Sequence, residues 1–301
     1  MSLISGNVPK HLVVDARTGF LTATGDIATA LPPFAEQYSL DSKSTTMVDL
    51  GSAPMPTENK GRATVQSFIE KYLQVEPRDW DITVGLSHNA MMDDQTNSLE
   101  SKVRSAGENF RRDMSNKCFE ALDSGDSTTA YGACYDGLSF FNNSHIDEGA
   151  DYQTAQDNLY SLDLTLNNFK TVRAAGRSFL DDRGEPVDLM HNLIVCHPDQ
   201  EFEVSQITGN PQDATVADRA INPYSGQVSY ITSAKLTSGS WSLVDTSRQA
   251  KPVYMAVREQ PNLQAAWFDP NAGEGGMYYF KFYARYNVFY GDWRLALMGK
   301  S

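Results

Sequence analysis

The stretch Met277 to Met298, MYYFKFYARYNVFYGDWRLALM, constrains the fold more than any other part of the chain, because it concentrates aromatic side chains in one segment. Phe280, Phe282, Ala284, Tyr286 and Val288 alternate with Lys281, Tyr283, Arg285 and Asn287, the period of a pleated strand. Trp293, Leu295 and Leu297 alternate likewise after a break at Gly291-Asp292. A two-residue loop led by glycine takes positive φ at no steric cost and matches the twist of antiparallel strands, so the segment is predicted to be a hairpin. It ties the end of the sequence into a sheet and shows no catalytic group. The segment reads as scaffold.

Over 301 residues, a hydrophobic content of 41% suffices for a sizeable core in one large domain or two modest ones. The formal net charge of -13 argues against free nucleic acid as a surface partner, because such a binder needs a basic footprint to release counterions from phosphates. Cys118, Cys134 and Cys196 are odd in number and include no CxxC pair, so free thiols and a reducing compartment are expected. The first residues show no basic region followed by an apolar run, and no run of ~18 apolar residues occurs anywhere. Neither export by that route nor a membrane span is expected.

From Met1 to about Lys60 the chain is rich in Ser, Thr, Gly and Pro without a sustained period, and an extended arm is expected. Arg62 to Tyr72 and Asp79 to Leu86 read as strands. In the second, Trp80, Ile82, Val84 and Leu86 alternate with Asp79, Asp81, Thr83 and Gly85, and together the two predict a long hairpin connected near Val75 to Arg78. Leu99, Val103, Ala106, Phe110, Met114, Cys118 and Leu122 recur at three- and four-residue steps, predicting a helix of ~25 residues, roughly 37 Å long. Asn97 fits its N-cap and Gly125 a left-handed C-terminal position, while Glu100, Arg104, Glu108 and Arg112 form a ladder of alternating sign on the far face. A second helix is predicted over Leu164 to Phe179. Leu193 to Cys196 reads as a short buried strand that His197-Pro198-Asp199 switches into a helix ending by Gly209. Further strands are predicted over Val228 to Leu236, Trp241 to Val244 and Pro252 to Arg258.

The candidate chemistry is sparse. His145, Asp147 and Glu148 are ligand types that could join Cys196 and His197 at a metal, but the two groups lie far apart in sequence and lack paired short spacings. No G-x-S-x-G elbow surrounds a serine. Gly273 to Gly276 precedes a strand instead of opening a helix, so it reads as a turn and not a phosphate loop. Asp93-Asp94 and Asp181-Asp182 are paired carboxylates expected to be solvated turn residues.

Three motifs carry a resemblance. Trp80-Asp-Ile-Thr-Val-Gly-Leu86 with Met91-Met-Asp-Asp94, Cys134-Tyr-Asp-Gly-Leu-Ser-Phe-Phe141 through His145, and Ala284-Arg-Tyr-Asn-Val-Phe-Tyr-Gly-Asp-Trp-Arg-Leu-Ala296 follow one another in that order. The chain from about Gln37 onward resembles the major head subunit family of Mu-like bacteriophages and prophages, and through it the Hong Kong 97 type of phage capsid fold. The resemblance implies an α+β fold with an N-terminal arm (1–44), an extended hairpin or E-loop (45–92), a P-domain with a long spine helix (93–150), an A-domain (151–261) and C-terminal strands closing the P-domain (262–301). It implies a major capsid protein without catalysis, cofactor or metal, assembling with itself into hexamers and pentamers of an icosahedral head in the virion. It also implies a separate scaffolding protein, a portal, room for a decoration protein, and enclosed double-stranded DNA that an acidic shell confines without gripping. Assembly or packing is expected to rest on Lys60, Arg62, Arg78, Trp80, Arg104, Arg112, Tyr286 and Trp293. Two other readings stay open, a minor head or tail protein and a metal-dependent hydrolase using His145, Asp147, Glu148 and His197.

Overall fold

The computed structural model describes residues 3–4, 8–25, 30–42, 45–50, 70–93, 98–146, 154–209, 222–273 and 275–300. In chain order they form β1 (Leu3–Ile4), α1 (Lys10–Thr24), β2 (Ala35–Ser39), β3 (Thr45–Leu50), β4 (Glu70–Val75), β5 (Arg78–Ser87), α2 (His88–Met92) and α3 (Ser98–Asp123). After these come β6 (Leu159–Tyr160), α4 (Leu166–Arg177), β7 (Leu193–Cys196), α5 (Glu201–Thr208), β8 (Ser229–Thr232), β9 (Ser240–Val244), β10 (Val253–Asp269), β11 (Met277–Tyr290) and β12 (Ala296–Lys300). Two five-stranded sheets result. One runs β1-β10-β11-β5 with β2 also on β10, and the other runs β6-β12-β9-β7-β8.

The aromatic alternation is that of a central strand. Phe280, Phe282, Ala284, Tyr286 and Val288 are buried, and β11 pairs antiparallel with β10 along one edge and β5 along the other. The predicted hairpin does not form, because both edges of β11 are occupied and β12 belongs to the other sheet, between β6 and β9. Gly291 is where the chain crosses over. Its φ is not positive; what requires glycine is a close approach, since a Cβ there would lie 2.2 Å from the Lys251 carbonyl oxygen. Asp292 then accepts from Arg294 N at 3.0 Å, starting a 3-10 turn over Trp293–Leu295 where a strand was predicted. Every residue from Trp293 to Met298 is buried, so the alternation there had no exposed face to report.

The expected extended arm is corrected too. Lys10–Thr24 is a helix whose buried Val13, Ala16, Phe20 and Thr24 recur at three- and four-residue steps. Phe20 stacks on Phe282 at 4.1 Å and meets Phe110 edge-on at 5.8 Å. Gly107 permits this crossing of α1 over α3, for a Cβ there would come within 2.7 Å of Phe20 O. The long-hairpin expectation also fails in its pairing. Its first strand, β4, pairs with β3 in a separate two-stranded ribbon, while β5 enters the first sheet. The predicted stretch 62–69 lies outside the described residues.

The long helix agrees with its pattern, and Val103, Ala106, Phe110, Met114, Cys118 and Leu122 are all buried. Gly125 does not take the left-handed conformation expected of it. It is instead pressed against Phe141, whose ring would lie 2.8 Å from an added Cβ. Asn97, its predicted N-cap, lies outside the described residues. The α4, β7, α5, β8 and β9 elements fall within one to four residues of their predicted bounds. β10 runs on to Asp269 through irregular register at Glu259 to Asn262, where Pro261, which has no N–H to give a ladder, is accommodated. Asp182 contradicts its solvated reading, being 2% exposed with neither carboxylate oxygen hydrogen-bonded.

Candidate functional site

Trp80 on β5, Arg112 on α3 and Tyr286 on β11 line one cleft of about 350 Å³. Trp80 and Tyr286 stack at 5.6 Å, and the indole N–H donates to the Tyr286 carbonyl at 3.0 Å. Lys117 Nζ sits 3.7 Å from the centre of the Trp80 ring, where the negative face of the π system attracts it. The Tyr286 hydroxyl donates to Asp113 Oδ2 at 2.6 Å. Burial, with the carboxylate beside it, pushes that phenol far above the usual range. Arg112 Nη2 donates to Asn109 Oδ1 at 2.7 Å. The cleft therefore offers stacking surface and fixed charge.

The remaining expected residues are scattered. Arg78 lines a second cleft of about 450 Å³ beside Glu120, Tyr131 and Lys235, and donates to Ala130 O at 3.2 Å. Arg104 is exposed on α3. Lys60 and Arg62 lie outside the described residues.

Trp293 stands where the chain passes between the two sheets. It stacks on His145 at 4.2 Å with 4° between planes and meets Phe179 edge-on at 5.4 Å. His145 Nδ1 lies 2.5 Å from Asp136 Oδ2 and its Nε2 lies 3.2 Å from Phe140 O. Both ring nitrogens thus face protein oxygens, which leaves none for a metal. Asp147 and Glu148 lie outside the described residues, and His197 caps the turn after β7 by accepting from Asp199 N at 3.3 Å. Among the described residues no three His, Cys, Asp or Glu side chains gather as a metal site. Cys118, Cys134 and Cys196 are buried free thiols.

The junction also uses residues that the sequence did not mark. Asn158, fully buried, donates through Nδ2 to the carbonyls of Phe140, Trp293 and Ala296 at 2.9, 3.1 and 3.2 Å, and accepts from Asn142 N at 2.8 Å. It joins the aromatic turn, the crossover and β12 at one point. His191 donates through Nε2 to Arg294 O at 3.1 Å, and burial lowers its pKa to about 4, so it is neutral in the fold at neutral pH. Neither residue sits in a periodic segment or motif, so no local signal announced it.

No helix among the described residues is long and apolar enough to cross a membrane. The fold is similar to that of the procapsid of bacteriophage JBD30, with TM-score 0.52 and 18% identity over 98% of this chain and 76% of that one. It is also similar to the capsid of an empty GTA particle, at TM-score 0.56 and 12% identity over 92% and 90% of the two chains. Mycobacterium phage Patience gives TM-score 0.55 and 10% identity over 100% and 90%. No curated protein matches by sequence. A family model described as phage capsid protein matches residues 71–297, a span that takes in α3, both clefts and nearly all of the two sheets. This chain belongs to the phage capsid protein family.

Proposed function

We propose that the chain is the major capsid protein of a Mu-like tailed bacteriophage or prophage. It assembles through hexamers and pentamers into the icosahedral head that encloses double-stranded DNA. On this reading α3 is the spine helix, the β3–β4 ribbon is the base of the E-loop, and β7, β8 and β9 with α4 and α5 are the core of the A-domain. The subunit is made in the host cytoplasm and works with a separate scaffolding protein and a portal.

The observation that carries this reading is the ribbon. Among the described residues the two strands pair only with each other, outside both sheets; Leu73 and Val75 anchor the end of β4 on Ala256 and Phe289, while Tyr72 beside them is 58% exposed. An isolated two-stranded ribbon is marginal in water and gains stability from a surface to lie on. A neighbouring subunit supplies that surface in a shell. The alternative of a minor head or tail component differs in copy number. Gel analysis of purified particles is expected to show this chain as the dominant stained protein, and a faint band of a few copies per particle would favour the minor component.

A further inference from the structure

Two exposed patches on this chain are complementary in both charge and apolar character. The first is on α1. Flanking its buried stripe, Lys10, Val14, Arg17 and Leu21 recur at four-, three- and four-residue steps, so they share one face of the helix. Val14 is 60% and Leu21 42% exposed. They lie about 10 Å apart along the axis, at 1.5 Å per residue, with Arg17 between them. Among the described residues no ion pair or hydrogen bond engages the side chain of Lys10 or Arg17. Lys10 stands in the first helical turn, where the macrodipole disfavours a cation, so its charge does not serve the helix.

The second patch is the first turn of α5. Phe202 is 69% exposed, the most exposed of the large apolar side chains among the described residues, and Glu201 and Glu203 on either side of it are exposed as well. β8, against which α5 packs, adds the half-exposed ring of Tyr230. Within one chain the patches belong to different layers. α1 packs on α3 and β10 of the first sheet, and α5 packs on α4 and β8 of the second.

We propose that these patches meet between copies: the α5 turn of one subunit docks on the α1 stripe of the next, with Phe202 between Val14 and Leu21 and Glu201 and Glu203 facing Lys10 and Arg17. The contact is heterologous, with different surfaces on the two partners, and a contact of this kind closes into a ring when its rotation is a simple fraction of a turn. Apolar contact supplies adhesion, and the opposed charges set register and exclude the self-pairing of like patches. The inference rests on the reading of the chain as a self-assembling shell subunit and names one of its contacts.

Charge exchange tests it. Three full-length variants would be compared with the parent by sedimentation and negative-stain microscopy: Lys10→Glu with Arg17→Glu, Glu201→Lys with Glu203→Lys, and all four together. All substituted side chains are exposed, and circular dichroism melts are expected to match the parent. Each two-site variant is expected to lower the yield of assembled particles at least tenfold, and the four-site variant to recover most of it. Absence of rescue overturns the pairing, as do two-site variants that assemble normally. Loss in the α1 variant alone assigns that stripe to another protein and equally overturns it. A parent chain that forms no assembly even with the proposed scaffolding protein supplied refutes the shell reading itself, a result distinct from all of these.

Discussion

Replacing Trp293 with aspartate is expected to leave no soluble folded chain. The indole is 1% exposed and packed between the rings of His145 and Phe179. Emptying such a site by truncation costs about 3–5 kcal/mol, against a total stability of roughly 5–15 kcal/mol for a native protein. Aspartate adds a carboxylate without solvent, next in sequence to Asp292 and across the His145 ring from Asp136. Trp293→Phe keeps an aromatic plane against His145 and is expected to fold with a lower melting temperature. Soluble yield and thermal melts check the pair, and a Trp293→Asp chain melting like the parent would show that the two sheets do not depend on this junction.

Tyr286 carries the second large effect. It is fully buried in the middle of β11, stacked with Trp80 and hydrogen-bonded to Asp113. Tyr286→Phe removes only the hydroxyl. Asp113 keeps Lys117 at 3.7 Å and partial contact with water, so the expected loss is about 1–2 kcal/mol. Tyr286→Asp sets a second carboxylate near Asp113 and empties the space between sheet and helix, and the expected loss exceeds about 4 kcal/mol. Urea midpoints separate the two. Equal, small losses would mean that α3 is not held on the sheet through this ring.

What the sequence disclosed follows from how local each signal is. α3 was legible because seven apolar positions repeat along one face over 26 residues, and β11 because its alternation spans a whole strand with one buried face. α1 was not, since Val13-Val14, Thr18 and Gly19 are poor helix formers and its stripe is short. That helix is held by Phe20 against Phe282 and Phe110, partners no window of sequence contains. Strand partners were misjudged for the same reason. Alternation tells that a segment is a strand, not which strand lies beside it: β4 takes the preceding β3 and not the following β5, and β12 takes the distant β9 and not β11.

The candidate site divides likewise. Trp80 and Tyr286 were picked out as members of separate motifs, and the fold stacks them across a cleft although 206 residues separate them. His145 was read as a ligand type, yet Asp136 and Phe140 use both its nitrogens. Asn158 and the buried Asp182 lie in polar stretches where composition alone suggests exposure, so burial imposed from elsewhere in the fold was invisible.

Whether this chain builds a shell is read most directly by negative-stain microscopy of the purified full-length protein, expressed with the proposed scaffolding protein. Closed shells, curved sheets or six-membered rings are expected. A stable, monodisperse monomer under the same conditions would contradict the shell reading.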